Sequence, residues 1–219
     1  MARTRSEEKR SLILRAAAKL IAEQGLGTPT ARIAKAAGVA EGTLFLYFAS
    51  KDDLLNELYL DLKLGLANGM WDGFPRNANQ YARGRHIWNH YVRWGLAHPE
   101  ERGALRQLGV SEKVSAASKA AAAEWFAEFA ALLNDILIAH GSSANVLSFV
   151  VALFDSMAET TMHFVATHPE QADDYCNRGF DAFWHALKHQ PSSKTLPQAG
   201  HDTPRELGCY LATPGKDKQ

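Results

Sequence analysis

The fold of this chain is decided by residues 33–54, which read IAKAAGVAEGTLFLYFASKDDL. Gly38 separates two short helical segments, because glycine allows the turn a positive φ that a side chain resists. The apolar residues on both sides of the turn can form a small core that fixes the crossing angle of the helices: Ile33, Ala34, Ala37, Val39, Leu44 and Phe48. Two short helices joined by a tight turn are the minimum for a helix-turn-helix module.

The flanking residues predict a helix on each side of this module. An apolar face runs over residues 12–21, and Gly25 ends that helix. Thr28-Pro29 predicts the next helix start, with the Thr28 hydroxyl as N-cap and Pro29 at the first helical position, where no N–H is needed. After the module, Ser50 predicts the cap of a long helix that carries a leucine stripe.

Helical periodicity continues over the rest of the chain, including one Ala-rich helix over residues 111–140 and a final pair over 144–167 and 169–189. No stretch alternates apolar and polar residues as a strand does. The predicted fold class is all-α, with about nine helices. We expect an N-terminal three-helix domain with the start of helix 4 as connector, a larger helical domain and a mostly disordered tail, over residues 1–51, 52–189 and 190–219.

The formal net charge of the 219 residues is zero, but the charge is unevenly distributed. Residues 1–51 hold nine basic and four acidic groups, whereas residues 52–189 hold 11 basic and 17 acidic groups. A small cationic module followed by an acidic one suggests that the first part meets a polyanion and the second does not. Chance clustering of the charges is the alternative.

The composition and the motifs argue against several classes of protein. Two cysteines, Cys176 and Cys209, without a CxxC pair argue against a disulfide scaffold or a zinc ribbon and favour a reducing cytosol. With no signal-peptide h-region and no run of about 18 apolar residues, we expect a cytoplasmic protein without a membrane span. No P-loop, GxSxG, HExxH or GxGxxG motif is present, so we expect no enzyme activity, no catalytic residue and no cofactor.

Residues 33–54 closely resemble the DNA-binding signature of TetR-family transcriptional regulators. Ala16-Ala17-x-x-Leu20 and Gly25 also fall where that family has its first helix and the following turn. The resemblance covers about residues 8–60. It implies an N-terminal helix-turn-helix domain that binds a double-stranded DNA operator and a helical domain that binds a small-molecule effector and forms a homodimer.

The resemblance also implies that residues 41–47 enter the major groove as the recognition helix. The implied DNA-binding residues are Thr28, Thr30, Arg32, Glu41, Gly42, Thr43, Phe45, Leu46, Tyr47 and Lys51. Lys51 matches the family's phosphate-binding lysine, and the free N–H groups of a helix start favour an anion there independently. The recognition helix lacks Arg, Gln and Asn, the usual bidentate base readers. We therefore expect base readout to depend on Arg32 and on apolar contacts of Thr43 or Leu46.

Aromatic residues recur at helical spacing in the second domain, where they suit either a filled core or an apolar effector cavity. The resemblance favours a cavity, for which the expected residues are Trp88, Tyr91, Trp94, Trp125, Phe126, Phe129, Phe154, Asp155, Met157, Glu159 and His163. The pairs His86/His90 and His185/His189 have the i, i+4 spacing that can share an ion, but no third ligand is fixed for them. We therefore expect no metal site.

A single helix-turn-helix buries too little surface for tight specific binding, so two half-sites and a dimer are expected. Apolar stripes on the last two helices can form a four-helix bundle between subunits. The expected interface residues are Leu147, Val150, Val151, Phe180, Phe183, Trp184 and Leu187, with internal core as the alternative for each. The expected function is a dimeric repressor that a small hydrophobic effector releases from a palindromic operator; the alternative is an effector-independent DNA-binding or architectural protein.

Overall fold

The structure is a computed structural model that describes residues 2–142 and 146–188. These ranges contain ten α-helices, a short 3-10 helix at Pro169–Gln171 and no β-strand, so the predicted all-α fold is confirmed. The helices are α1 Ala2–Gln24, α2 Thr30–Ala36, α3 Glu41–Tyr47, α4 Lys51–Trp71, α5 Gln80–Ala97, α6 Pro99–Gly109, α7 Ala116–Glu124, α8 Ala127–Ala139, α9 Leu147–Thr167 and α10 Ala172–Lys188. The predicted tail (190–219), Cys209 and His189 lie outside the described residues.

The first three helices form the helix-turn-helix arrangement. Gly25 follows the end of α1 with φ +84°, and Gly38 turns the chain between α2 and α3 with φ +71°. Residues with an L side chain rarely adopt such positive φ angles. Ile33 of α2 and Leu44 of α3 are completely buried, and both belong to one core cluster with Phe48. The motif's own apolar residues therefore fix α3 against α2, as predicted.

The long helix α4 belongs to two cores. Its first half adds Leu54 and Leu58 to the cluster of α1–α3, and its second half adds Leu66 and Met70 to an aromatic-rich cluster with α5, α8, α9 and α10. Helix α6 joins the first cluster through Ala104 and packs extensively on α1. We call α1–α3 the N-terminal domain and α5–α10 the C-terminal domain; α4 joins them along the chain, and α6 of the C-terminal domain also contacts α1.

The single Ala-rich helix predicted over residues 111–140 is wrong, because the structure has two helices there. The break lies at Trp125 and Phe126, between α7 and α8. The Trp71 indole N–H of α4 donates to the Trp125 carbonyl over 2.8 Å. This tertiary hydrogen bond satisfies a carbonyl that a continuous helix would use internally, and it accounts for the tenth helix.

Helix α9 has an apolar character that we did not foresee. Among the described residues, only Leu147–Thr167 is long and apolar enough to cross a membrane by length and composition, and 33% of its most apolar 18-residue window is buried in the fold. Its inner face adds Phe154 and Met162 to the second core. Its outer face carries Phe149 and Phe164, which are 63% and 41% exposed. Helix α9 is thus a core helix whose exposed side carries these two phenylalanines among small and polar side chains.

Candidate DNA-binding surface and ligand cavity

The predicted recognition helix is α3, and its two faces differ sharply in exposure. Leu44 is completely buried, whereas Leu46 is 83% exposed and Phe45 is 44% exposed. Large apolar side chains left in water mark contact surfaces when they occur together. In the major groove of DNA, such side chains can pack against the methyl group of thymine.

A hydrogen bond joins the two motif helices on this surface. Thr30 Oγ1 donates to Glu41 Oε1 over 2.7 Å, so the start of α2 holds the start of α3. One carboxylate oxygen of Glu41 is therefore engaged within the chain. This contact gives Glu41 a positioning function for the recognition helix.

Thr28 lies inside the chain, contrary to its prediction as a DNA contact. It is 3% exposed, and its Oγ1 donates to the Gly25 carbonyl over 2.8 Å. The predicted N-cap function is wrong as well, since α2 begins at Thr30 and Pro29 occupies the cap position without a side-chain hydrogen bond. A buried hydroxyl whose proton goes to the preceding turn cannot reach a phosphate, so Thr28 stabilises the turn instead.

The other predicted DNA contacts lie on the surface of the N-terminal domain. The exposed or half-buried positions are Thr30, Arg32, Glu41, Gly42, Thr43, Phe45, Leu46, Tyr47 and Lys51. Lys51 begins α4, where Ser50 Oγ accepts from the Asp53 N–H over 3.0 Å and Asp53 Oδ2 accepts from the Ala49 N–H over 2.9 Å. The predicted Ser50 cap is thus confirmed, and Lys51 supplies the cation at this helix start.

Part of the positive charge of the N-terminal domain is engaged within the chain. Arg10 of α1 forms an ion pair with Glu57 of α4, and Lys19 forms one with Glu100 of α6 over 3.5 Å. These pairs fasten α1 to the two connecting helices. The charge excess of residues 1–51 therefore has a structural component besides any attraction to a polyanion.

Two adjacent cavities lie in the C-terminal domain against α4. The inner cavity has a volume of 270 Å³ and a mostly apolar lining, which includes Leu66, Met70, Phe126, Phe129, Val151 and Phe154. The outer cavity has a volume of 370 Å³ and adds Trp94, Arg102, Arg106 and Glu159. The wall shared by both cavities consists of Tyr59, Lys63, Leu66, Tyr91 and Asp155. A mostly apolar cavity thus adjoins one with more charged groups; the further cation of the inner lining, Lys119, donates to the Ser111 carbonyl over 3.1 Å.

The cavity linings contain seven of the residues predicted for the pocket: Tyr91, Trp94, Phe126, Phe129, Phe154, Asp155 and Glu159. The other four lie elsewhere. Trp88 is completely buried, and its indole N–H donates to the Cys176 carbonyl over 3.1 Å. Trp125 packs on the first core, Met157 packs on the second, and His163 is exposed. For Trp88 the alternative of a filled core is correct.

Helix α4 contributes cavity residues that we did not predict: Tyr59, Lys63, Leu66 and Met70. Their spacing of four, three and four residues places them on one face of a helix, and this pattern could have identified them. Lys63 Nζ lies 5.1 Å from the centre of the Phe126 ring and 5.9 Å from that of Tyr59. The helix that we predicted only as a connector thus forms a cavity wall.

Lys63 and Asp155 bring opposite charges to the shared wall. Burial lowers the pKa of Lys63, and the Asp155 carboxylate opposes this change. Burial raises the pKa of Asp155. The Lys63 ammonium and the hydrogen bond that Tyr91 Oη donates over 3.1 Å oppose this increase. Burial and the nearby carboxylate raise the pKa of Tyr91 well above its ordinary value, so its hydroxyl remains a donor. Each charged group in this wall has lost part of its hydration.

The side chains predicted for the dimer surface lie mostly inside the chain. Five belong to the second core and are at most 7% exposed: Val150, Phe180, Phe183, Trp184 and Leu187. Leu147 and Val151 are half-buried, and Val151 lines the inner cavity. A side chain buried in its own subunit cannot contact a second copy. The prediction is therefore wrong for these five residues, for which the alternative of internal core is correct.

The predicted histidine pair on α5 contacts backbone. The rings of His86 and His90 stack with their centres 4.0 Å apart. His86 Nε2 lies 3.2 Å from the Met70 carbonyl and His90 Nδ1 lies 2.8 Å from the Gly69 carbonyl, both at the end of α4. Over residues 2–142 and 146–188, no three His, Cys, Asp or Glu side chains come together as a metal site requires.

Known regulatory proteins match the N-terminal part of the chain in sequence. Residues 13–58 match the family model of bacterial regulatory proteins, tetR family. Over 54 residues, the chain is 46% identical to the fatty acid metabolism regulator protein of Bacillus subtilis (strain 168), a match that covers 24% of this chain and only 27% of that relative.

Similarity in three dimensions extends over most of the chain. A crystal structure of a candidate TetR-family transcription regulator from Shewanella sp. PV-4 has a TM-score of 0.71 and 25% identity, and the match covers 81% of this chain and 97% of that one. A TetR-family transcription regulator from Marinobacter aquaeolei VT8 has a TM-score of 0.75 and 21% identity over 84% and 97% of the two chains. Residues 13–58 therefore match the tetR family of bacterial regulatory proteins in sequence, and the chain is similar in fold to TetR-family transcription regulators over most of its length.

Proposed function

We propose that this chain is a dimeric cytoplasmic repressor that binds a palindromic double-stranded operator and releases it when a small hydrophobic effector fills the C-terminal cavities. The observation that carries this proposal is the course of α4. Its first residue, Lys51, lies on the DNA-binding surface, and its residues Tyr59, Lys63 and Leu66 form the wall shared by the cavities. A ligand that displaces this wall also displaces α4, whose first residue lies on the proposed DNA-binding surface.

A second connection runs through α6. Arg102 and Arg106 line the outer cavity, and Arg102 pairs with Glu159 of α9 over 3.7 Å. In the same helix, Gln107 Nε2 donates to the Ile21 carbonyl of α1 over 2.7 Å. The backbones approach closely as well, since a Cβ on Gly103 would lie 3.0 Å from that of Ala22. Helix α6 thus contacts both the cavity and the N-terminal domain.

These two helices provide a mechanism for release. Operator binding requires a fixed separation of two N-terminal domains, because successive major grooves lie one helical turn apart. An effector that binds better to a subunit with displaced α4 and α6 lowers the population of the DNA-competent state. By linkage, operator DNA weakens effector binding by the same factor.

The dimer surface that we propose is the outer face of α9 with the adjoining face of α10. Phe149 and Phe164 are the exposed apolar residues of α9, with the smaller Ala152, Ser156 and Thr160 between them on the exposed side. Small residues between larger ones allow two helices to approach closely. Two copies of the α9–α10 pair would form a four-helix bundle.

The relative's name suggests an effector class but does not establish it. The Bacillus subtilis match covers 54 residues, whereas the cavities begin at Tyr59 and extend to Glu159. A regulator of fatty acid metabolism is compatible with an apolar cavity. The effector must therefore be inferred from the cavity itself.

Operator selection tests the DNA-binding part of the proposal. Sites selected from random double-stranded DNA should contain two inverted half-sites, and their affinity should fall steeply as salt rises. Phe149→Asp should convert the dimer to a monomer and weaken operator binding, because each subunit then binds one half-site. Ile138→Asp, at a residue of α8 that is 57% exposed, is the matched control and should leave both properties unchanged. A wild-type protein that is monomeric and selects sites without inverted symmetry would contradict the proposal.

A further inference from the structure

The two cavities differ in a way that defines the chemistry of a ligand. The inner cavity is lined mainly by rings and aliphatic chains, among them Met70, Phe129 and Phe154. The outer cavity contains Arg102 and Arg106. One compartment therefore favours an apolar group, and the adjacent one favours a polar group.

Positive charge exceeds negative charge around the outer cavity. Its ionisable cations are Lys63, Arg102 and Arg106, and its carboxylates are Asp155 and Glu159. Both carboxylates already have partners, since Asp155 accepts from Tyr91 Oη and Glu159 pairs with Arg102. Arg102 and Glu159 compensate each other, and Asp155 acts on Lys63, so an anionic group entering this cavity would meet an excess of one positive charge.

Lys63 is placed to receive such a group. It lies in the wall common to both cavities, half-buried, with its ammonium above the Phe126 and Tyr59 rings. Ring faces attract a cation weakly and offer its N–H groups no oxygen acceptor. An ammonium with part of its hydration removed gains most from a charge-assisted hydrogen bond to an anion.

The volume of the inner cavity limits the apolar part of the ligand. A methylene group needs about as much space as a water molecule, whose share of liquid volume is roughly 30 Å³. The 270 Å³ inner cavity therefore accommodates on the order of eight to ten carbons. A chain of this length fills the cavity.

We infer that the effector is a single-chain anionic amphiphile, with an alkyl chain of roughly eight to ten carbons in the inner cavity and a carboxylate head at Lys63. The inference rests on the proposed effector site and specifies its ligand. The alkyl chain packs against the rings of the inner cavity. The head reaches Lys63 and extends toward Arg106 in the outer cavity.

Three probes with the same chain and different heads test the inference: decanoate, decanol and decyltrimethylammonium. Calorimetric titration of the full chain should show decanoate binding about tenfold or more tightly than decanol, because its head forms a charged hydrogen bond. The decyltrimethylammonium cation should bind more weakly than either. Equal affinity for the three probes, or preference for the cation, would overturn the assignment of an anionic head.

Lys63→Met separates the head site from the chain site. It keeps most of the length of the side chain without its charge, so decanol binding should persist while decanoate loses its advantage over decanol. Lys188→Met is the control, since Lys188 also lies over a ring, that of Trp184 at 5.3 Å, but outside both cavity linings. Undiminished decanoate binding by Lys63→Met would refute the function assigned to Lys63.

Failure of this inference can be distinguished from failure of the proposed function. If none of the three probes binds, the amphiphile is wrong, whereas operator selection still decides whether the chain is a DNA-binding dimer. If decanoate binds as expected but leaves operator affinity unchanged, the ligand assignment stands and the release mechanism fails.

Discussion

The N-terminal and C-terminal domains build their cores in different ways. In the N-terminal domain, Ile33, Leu44 and Phe48 come from one short stretch of sequence and meet across a glycine turn. In the C-terminal domain, Trp88 packs edge-on against Phe154, which lies 66 positions later in the chain, with ring centres 5.4 Å apart. The comparison shows that local sequence determines the DNA-binding surface, whereas contacts between distant helices determine the cavity.

The strongest test of this contrast concerns packing in the C-terminal domain. A Cβ on Gly179 of α10 would lie 2.2 Å from Thr161 Oγ1 and 2.7 Å from the Trp88 ring. We expect Gly179→Ala to lower the free energy of unfolding by about 1–3 kcal/mol, because the helices must separate. Thermal or urea unfolding measures the change.

Gly65→Ala is the matched control in α4. A Cβ on Gly65 meets nothing within 4 Å, so alanine should raise the free energy of unfolding by up to about 1 kcal/mol through its helix propensity. Opposite signs for the two substitutions support close contact of α10 with α9 and α5. A Gly179→Ala protein as stable as wild type would contradict that contact.

On the DNA-binding side, Arg32→Ala should weaken binding to the selected operator by about 1–3 kcal/mol and relax specificity at one position. Arg32 is exposed on α2, and a guanidinium can bond to guanine in a bidentate manner. Competition binding against operators with single base changes measures both effects. Lys35→Ala, at another exposed cation of α2, is the control and should weaken binding to all operator sequences equally. If Arg32→Ala lowered the affinity for all operator sequences equally, Arg32 would be a phosphate contact and not a base contact.

A smaller effect, on the coupling between ligand and operator binding, is expected from a substitution where α6 contacts α1. Gln107→Ala removes the hydrogen bond from α6 to the Ile21 carbonyl and should reduce the coupling between ligand and operator by about 0.5–2 kcal/mol. The affinity for each ligand alone should change little. The measurement is operator affinity with and without ligand, and Gln171→Ala on the exposed 3-10 helix is the control. Unchanged coupling would remove α6 from the mechanism.

The smallest expected effect is a dependence on pH at the end of α4. Burial lowers the pKa of His86 below its ordinary value of 6.5, and the neighbouring His90 adds to this change. Protonation is therefore harder in the folded state, so the stabilising contribution is present above pH 6.5 and is lost as pH falls toward the folded-state pKa.

His86→Gln removes this titration while it keeps a donor for the Met70 carbonyl. Between pH 7.5 and 5.5, the Tm of wild type should fall more than that of the variant, by no more than about 2 °C because the ring is partly hydrated. Equal changes in Tm for both proteins would exclude His86 as the source of the difference.

The sequence predicts what depends on a few neighbouring residues. The positive φ of Gly38 and the Ser50 cap each follow from interactions within about four positions, and both are confirmed. The Thr28 cap fails because α2 begins at Thr30, which puts Pro29 at the cap position, and the Thr28 hydroxyl donates to the Gly25 carbonyl. Local patterns therefore predict the turn and the start of α4 but do not fix the first residue of α2.

The cavity depends on long-range contacts that periodicity does not contain. The break between α7 and α8 requires Trp71, which comes 54 positions before the carbonyl that it binds. An apolar stripe predicts burial but does not say whether the side chain is covered by its own chain or by a second copy, which is why Phe180 and Phe183 were assigned to an interface. A lone lysine in a leucine stripe usually has its charged end in water, so the sequence does not identify Lys63 as a cavity residue.

Reciprocal titration tests the central claim most directly, namely that operator and cavity ligand compete through α4 and α6. Operator affinity of the wild-type protein is measured without and with saturating decanoate, and decanoate affinity is measured without and with saturating operator. The account predicts that decanoate weakens operator binding and that operator weakens decanoate binding by the same factor. Operator affinity that is unchanged while decanoate occupies the cavity would contradict it.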